Sequence, residues 1–187
     1  MRMCALAQAS TGASVATMPY RAAVITCSDR AAADLYEDRS GPVLRDGLAD
    51  LGFDVAAPTI LPDDAGRIAT AILDAVAAGA RVVLTTGGTG VSPRDVTVEA
   101  TRPLLRYEVP GIAEAVRATG AVKTPLSSLS RGLAGVIEHE GTRSFVFNAP
   151  GSRGGARDAL AVLAPLLVHI VEQLDGADHD LHRPPSA

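Results

Sequence analysis

Val82-Val83-Leu84-Thr85-Thr86-Gly87-Gly88-Thr89-Gly90-Val91-Ser92-Pro93-Arg94-Asp95 decides how the rest of this chain is read. A short apolar run ends in Thr85–Gly90, a stretch made only of threonine and glycine. The run reads as a buried strand, and the glycines leave the backbone of the following loop open. N–H groups in such a loop can approach an anionic ligand closely. Arg94 adds a planar guanidinium fork suited to phosphate, and Asp95 adds a carboxylate. An anion cradle beside a carboxylate points to phosphoryl or nucleotidyl chemistry. The simpler alternative is a tight strand-to-helix connection in which Asp95 caps the next helix. The loop lacks the Gly-Lys-Ser/Thr ending of a P-loop, and its glycine spacing does not match the dinucleotide-binding fingerprint.

Outward from this loop, strand and helix patterns alternate from Tyr20 to about Leu174. Ala22–Cys27, Phe53–Leu61 and Arg81–Thr86 read as strands. Gly41–Leu51 and Ala65–Ala78 carry apolar residues at helical spacing and stop at Gly52 and Gly79, in the positions where helices favour glycine. Thr97–Leu105 reads as a short helix, and Pro110 stands at the start of another over Ile112–Thr119. Leu133–Glu138 and Arg143–Phe147 flank Glu140-Gly141-Thr142 and read as a hairpin. Arg153–Leu174 reads as one long helix kinked at Pro165. The predicted fold class is therefore α/β and three-layered. A mostly parallel central sheet has helices on both faces and a β-hairpin near the C-terminus.

The chain has 187 residues, enough for one domain with a full-sized core. Residues 19–174 form the expected domain, between a disordered tail over 1–18 and a polar tail over 175–187 that holds His179 and His182. The net charge of −4 argues against a nucleic-acid binder, which would present a basic field. No uninterrupted apolar stretch approaches the roughly 18 residues of a membrane span. Lys123 is the only lysine, so phosphate contacts fall mainly to arginine. Two distant cysteines, Cys4 and Cys27, exclude a disulfide framework and fit a cytoplasmic protein.

In open α/β sheets, ligands bind beyond the carboxyl ends of the strands. Four segments fall there: Ser28-Asp29-Arg30, Pro62-Asp63-Asp64, the threonine–glycine loop, and Asn148-Ala149-Pro150-Gly151-Ser152-Arg153. Each carries a carboxylate, an arginine or a glycine, and topology gathers them on one edge. A β-branched side chain at Gly88 is expected to harm ligand binding more than folding.

Those segments, in that order, resemble the molybdopterin-binding domain family that includes the bacterial Mog and MoaB proteins. The resemblance spans about Arg21 to Leu174. It rests on Thr26-Cys27-Ser28-Asp29-Arg30, Leu61-Pro62-Asp63, Thr85-Thr86-Gly87-Gly88-Thr89-Gly90, Arg94-Asp95-Val96-Thr97, Glu99-Ala100, Pro110-Gly111, Leu129-Ser130-Arg131 and Pro150-Gly151-Ser152. It implies molybdenum cofactor biosynthesis: AMP transfer from ATP to molybdopterin, with Mg²⁺ and with release of pyrophosphate. It also implies a MoeA-like enzyme acting next and a homotrimeric assembly. Asp63 and Asp95 match the family's catalytic pair and are the implied metal ligands. Ser28, Asp29, Arg30, Thr86, Gly87, Gly88, Thr89, Gly90, Arg94, Ser130, Pro150, Gly151 and Ser152 are the implied substrate contacts. Arg153 stands where the family often has proline, adding a cation that faces the expected site. The alternative is a MoaB-like protein that binds molybdopterin with little or no transfer activity.

Overall fold

The computed structural model describes residues 20–176. The tail expected over 1–18 and the two histidines expected in the polar tail lie outside the described residues. Seven strands form one sheet: β1 (Arg21–Cys27), β2 (Asp54–Val55), β3 (Thr59–Leu61), β4 (Ala80–Thr86), β5 (Tyr107–Glu108), β6 (Ala134–His139) and β7 (Thr142–Ala149). Their order is β2-β1-β4-β7-β6-β5, with β3 also paired to β1. Pairings among β1, β2, β3, β4 and β7 are parallel; β6 and β5 add an antiparallel edge.

Alternation along the central strands builds two apolar layers. Val24, Val82, Leu84, Phe145 and Phe147 face α2 (Gly41–Asp50), α5 (Pro110–Ala121), α6 (Arg153–Leu163) and α7 (Leu167–Leu174). Ile25, Val83 and Val146 face α3 (Ala65–Ala77) and α4 (Thr97–Thr101) on the other side. Helix α3 illustrates the local logic. Asp64 caps it by accepting the Arg67 N–H at 2.8 Å; Ile68, Ile72 and Val76 are fully buried one turn apart; and Gly79, at φ 88°, ends it.

Three elements differ from the sequence expectation. The strand expected over Phe53–Leu61 is two short strands, which pair with opposite ends of β1. Pro58 lies in the gap, where it has no N–H to give a ladder. The helix expected over Arg153–Leu174 is two helices bent by 59°. Pro165 lies in the break, where it cannot donate to the preceding turn. Each half then buries its own stripe, Ala156, Ala159 and Leu163 in α6, Leu167 and Val171 in α7. Both stripes pack into the same apolar layer. The helix expected over Thr97–Leu105 turns 3₁₀ at Arg102–Leu104, around Pro103. Among the described residues, no single helix is long and apolar enough to cross a membrane. The hairpin turn has Glu140 at φ 48° and Gly141 at φ 78°, the sign pair of a two-residue turn matched to strand twist.

A buried polar network ties α4 to the sheet. Asn148 donates from Nδ2 to Thr85 Oγ1 at 2.9 Å and to Thr101 Oγ1 at 3.0 Å, and Thr101 donates to the Thr97 carbonyl at 2.8 Å. The end of α4, at Thr101, is therefore fixed against β4 and β7.

Candidate active site

The carboxyl ends of β1, β3, β4 and β7 meet at a cleft of about 860 Å³. Cys27 and Ser28 leave β1, Asp63 follows β3, and Thr86, Gly87, Gly88 and Asp95 come from β4 and its loop. Gly151, Ser152 and Arg153 supply the wall at the start of α6, where Ser152 caps the helix by accepting the Gly155 N–H at 3.0 Å. The β4 and β7 loops are stitched together: Thr86 Oγ1 donates to the Pro150 carbonyl at 2.9 Å, and Gly87 N–H to the Ala149 carbonyl at 3.2 Å.

Asp63 and Asp29 hold each other. Asp29 N–H donates to Asp63 Oδ2 at 3.0 Å, and Asp63 N–H donates to Asp29 Oδ1 at 3.0 Å. The other Asp29 oxygen pairs with Arg94. Asp63 Oδ1 is buried and accepts no hydrogen bond. A buried oxygen with no partner is costly; Thr97 Oγ1 and Asn148 Oδ1 share that state, but of the three residues only Asp63 lines the cleft. Burial, and then the charge of Asp95, push the Asp63 carboxyl above the ordinary carboxylate range. Asp95 accepts the Ser92 N–H at Oδ2, 2.8 Å away, so its carboxylate closes a turn. It does not cap α4, whose cap position is Val96.

Glycine is required at three points around these carboxylates. Gly88 is at φ 61°, and a Cβ there would stand 2.2 Å from Thr97 Oγ1 and 3.2 Å from Asp63 Oδ1. Gly87 is at φ 94°, with the Cys27 carbonyl 2.2 Å from the same added atom. A Cβ at Gly151 would meet Gly87 Cα at 2.9 Å. The expectation that a branched residue at Gly88 spares folding is therefore corrected: it would collide with Thr97 and force an L residue into left-handed backbone.

Of the sequence-predicted residues, Ser28, Asp63, Thr86, Gly87, Gly88, Asp95, Gly151 and Ser152 line the cleft, with Arg153 beside them. Asp29, Arg30, Thr89, Gly90, Arg94, Ser130 and Pro150 stand behind or around it. Arg30 lies over the Tyr36 ring, 4.9 Å from its centroid. Thr89 is buried. Ser130 sits in a connection where its carbonyl accepts from Arg117. Asp64 is spent as the cap of α3 and does not stand in for Asp63.

The sequence reading missed the segment Tyr36–Ser40, which forms the opposite rim. Asp38 holds it in place: Oδ2 accepts from Thr26 Oγ1 at 2.6 Å, and Oδ1 accepts the N–H groups of Ser40 at 3.0 Å and Gly41 at 2.9 Å. An aspartate ahead of Ser40-Gly41-Pro42 is a helix-start signal that was available in the sequence. Asp38→Ala is expected to cost about 2 kcal/mol in a denaturant melt, because it leaves a helix start uncapped and Thr26 without its acceptor.

A model described as a probable molybdopterin binding domain matches residues 23–169. The chain belongs to this family. Its match to the molybdopterin adenylyltransferase of Pyrococcus furiosus is 35% identical and covers 82% of this chain and 90% of that protein. A molybdenum cofactor biosynthesis bifunctional protein of Synechococcus elongatus is 45% identical over 84% of this chain. The chain spans about half the length of that relative and of the similar bifunctional protein of Chlorobaculum tepidum (48% and 50%). Among solved structures, the molybdopterin biosynthesis Mog protein of Mycobacterium ulcerans superposes with a TM-score of 0.78 at 38% identity, covering 86% of this chain and 99% of that one. In this molybdopterin-binding domain, the family signature Thr85–Gly90 lies at the carboxyl end of β4, and its two middle glycines line the cleft.

Proposed function

We propose that this domain transfers AMP from ATP to the terminal phosphate of molybdopterin, releasing pyrophosphate. The observation that carries the proposal is the buried, unpartnered Asp63 Oδ1 beside Gly88, in a residue that lines the cleft with a second carboxylate, Asp95, close enough to perturb it. Two hard oxygen donors with room for substrate phosphates fit Mg²⁺, which keeps waters and uses only one or two carboxylates. When bound by Asp63 and Asp95, the ion would neutralise charge on the reacting phosphates.

In the proposed step, an oxygen of the molybdopterin phosphate bonds to the α-phosphorus of ATP. The bond from that phosphorus to the β-bridging oxygen breaks, and pyrophosphate leaves with the electron pair. The protein's own contribution is positioning and charge compensation. Backbone at Gly87 and Gly88 admits phosphate closely, the α6 N-terminus favours negative charge, and Arg153 adds a guanidinium at the cleft wall. Arg94 serves at one remove, holding Asp29, which in turn holds Asp63.

The second reading is a binding protein without transfer. Staphylococcus aureus molybdenum cofactor biosynthesis protein B, 35% identical with 91% of its length covered, favours it. Incubating the protein with ATP, Mg²⁺ and molybdopterin, with mass detection of the products, separates the two. Adenylylated molybdopterin supports the enzyme, and bound but unchanged molybdopterin supports the carrier. The adenylylated product would pass to a MoeA-like molybdate-inserting enzyme in the cytoplasm, where ATP is at hand.

The proposed assembly is a homotrimer. Val122, Leu126 and Leu129 lie exposed along the connection after α5, an apolar set that a subunit contact would cover. Light scattering is expected to give about three times the 19.1 kDa chain mass; a monomer mass would exclude the trimer.

A further inference from the structure

We propose that Arg131 is a positioning residue for Asp95, acting as a clamp across the loop that carries it. This rests on the reading of Asp63 and Asp95 as the reacting pair. Arg131 comes from a distant segment, between α5 and β6. Its backbone N–H donates to the Thr89 carbonyl at 2.8 Å. Its side chain donates from Nε to the Gly90 carbonyl and from a terminal nitrogen to the Asp95 carbonyl at 2.7 Å, and pairs with the Glu99 carboxylate at the start of α4. One guanidinium thus closes Gly90–Asp95 end to end and fastens it to the next helix.

The rest of the loop has little else to hold it. The remaining bonds of Gly90–Asp95 among the described residues are internal, from Ser92 N–H to the Asp95 carboxylate, Arg94 N–H to Ser92 Oγ and Asp95 N–H to the Ser92 carbonyl, apart from the exposed Arg94–Asp29 pair. Those internal bonds travel with the loop and do not fix Asp95 relative to Asp63. The clamp itself is anchored. Arg117 donates to the carbonyls on either side of Arg131, Ser130 at 3.4 Å and Gly132 at 3.2 Å, and Gly132 is wedged against the Asn148 carbonyl. Three acceptors in three directions call for a fork of fixed donors. Lysine carries its three donors on a single nitrogen and cannot span acceptors that Nε and the two terminal nitrogens of arginine reach separately.

Hydrogen exchange by mass spectrometry over 88–97, melting temperature, and the Mg²⁺ dependence of adenylyl transfer form the test, on Arg131→Lys, Arg131→Gln and Glu99→Gln. Both Arg131 variants are expected to speed exchange in the loop by about tenfold or more, since local opening sets that rate. They should also raise the Mg²⁺ concentration needed for half-maximal rate and lower kcat by about tenfold, with only a few degrees' change in melting. Glu99→Gln keeps both carbonyl contacts and should change each readout by only about twofold to threefold. Wild-type exchange and Mg²⁺ dependence in Arg131→Lys would overturn the clamp, as would losses of rate that merely follow losses of stability. A wild-type protein with no transfer activity would sink the catalytic reading instead, and loop exchange would still decide the clamp.

Discussion

Asp63→Asn is expected to lower adenylyl transfer by about a thousandfold while leaving the protein as stable as before, or more so. The size follows from the proposed reaction, in which Asp63 is one of two carboxylates holding the ion that would neutralise the reacting phosphates. The stability follows from the raised Asp63 carboxyl. Burial and Asp95 make the ionised form unfavourable in the folded state, so the folded protein holds the Asp63 proton more tightly than the unfolded chain does. Stability is thus lost as pH rises, starting at the ordinary carboxylate value of 3.8 and ending at the raised folded value; above it the loss is constant. Asparagine carries no charge at any of these pH values and can still accept the Asp29 N–H. Thermal melts from pH 4 to 7 should show the wild type falling relative to the variant as pH increases. A variant that transfers AMP at the wild-type rate would remove Asp63 from the chemistry, and one that melts well below wild type would make its role structural.

The second large effect is on folding. Gly87→Ala is expected to cost about 3–5 kcal/mol, a large part of the stability of a domain this size. The added methyl would stand 2.2 Å from the Cys27 carbonyl oxygen, which is backbone of the central strand β1 and cannot swing aside as a side chain would. The left-handed backbone, φ 94°, adds strain of about 1–3 kcal/mol for any L residue. Urea unfolding should give a much lower midpoint for the alanine protein. An unchanged midpoint would mean that β1 and β4 can separate at this point, which the ladder from Ala22↔Val82 to Thr26↔Thr86 makes implausible.

The sequence was most legible where one local pattern coincides with one packing environment. β1, β4 and β7 are short β-branched or aromatic runs buried on both faces, and α3 has its cap, stripe and terminal glycine in order. Expectations failed where proline decided the outcome, at Pro58 and Pro103, where the periodicity continued while the hydrogen-bond ladder stopped; the kink expected at Pro165 is there, as a full break. Strand β5 is only two residues long and carries no period that could be read. At the site, Asp63 and Asp95 were found through a motif and a rule of topology. Asp38 offered a local helix-start signal that was passed over; only its bond to Thr26, twelve residues away, was beyond sequence reading. Arg131 was noted only as part of Leu129-Ser130-Arg131, and its partners, on a loop some forty residues upstream, could not be read from it.

Strand β3 pairs with β1 at three positions, Ile25↔Thr59, Thr26↔Ile60 and Cys27↔Leu61, at the outer edge of a parallel ladder, and the Ser28 N–H to the Leu61 carbonyl and the reciprocal Asp29–Asp63 bonds extend that hold. Edge strands of that length open at a small fraction of the global unfolding free energy. Asp63 follows this strand by two residues, so every such opening withdraws a carboxylate from the cleft while both apolar layers stay closed. In the proposed reaction, one of the two carboxylates thereby depends on a short edge strand. If the proposed reaction is the protein's own, loss of activity on heating is expected to precede the melting of the core that spectroscopy records, because fraying of this one edge suffices.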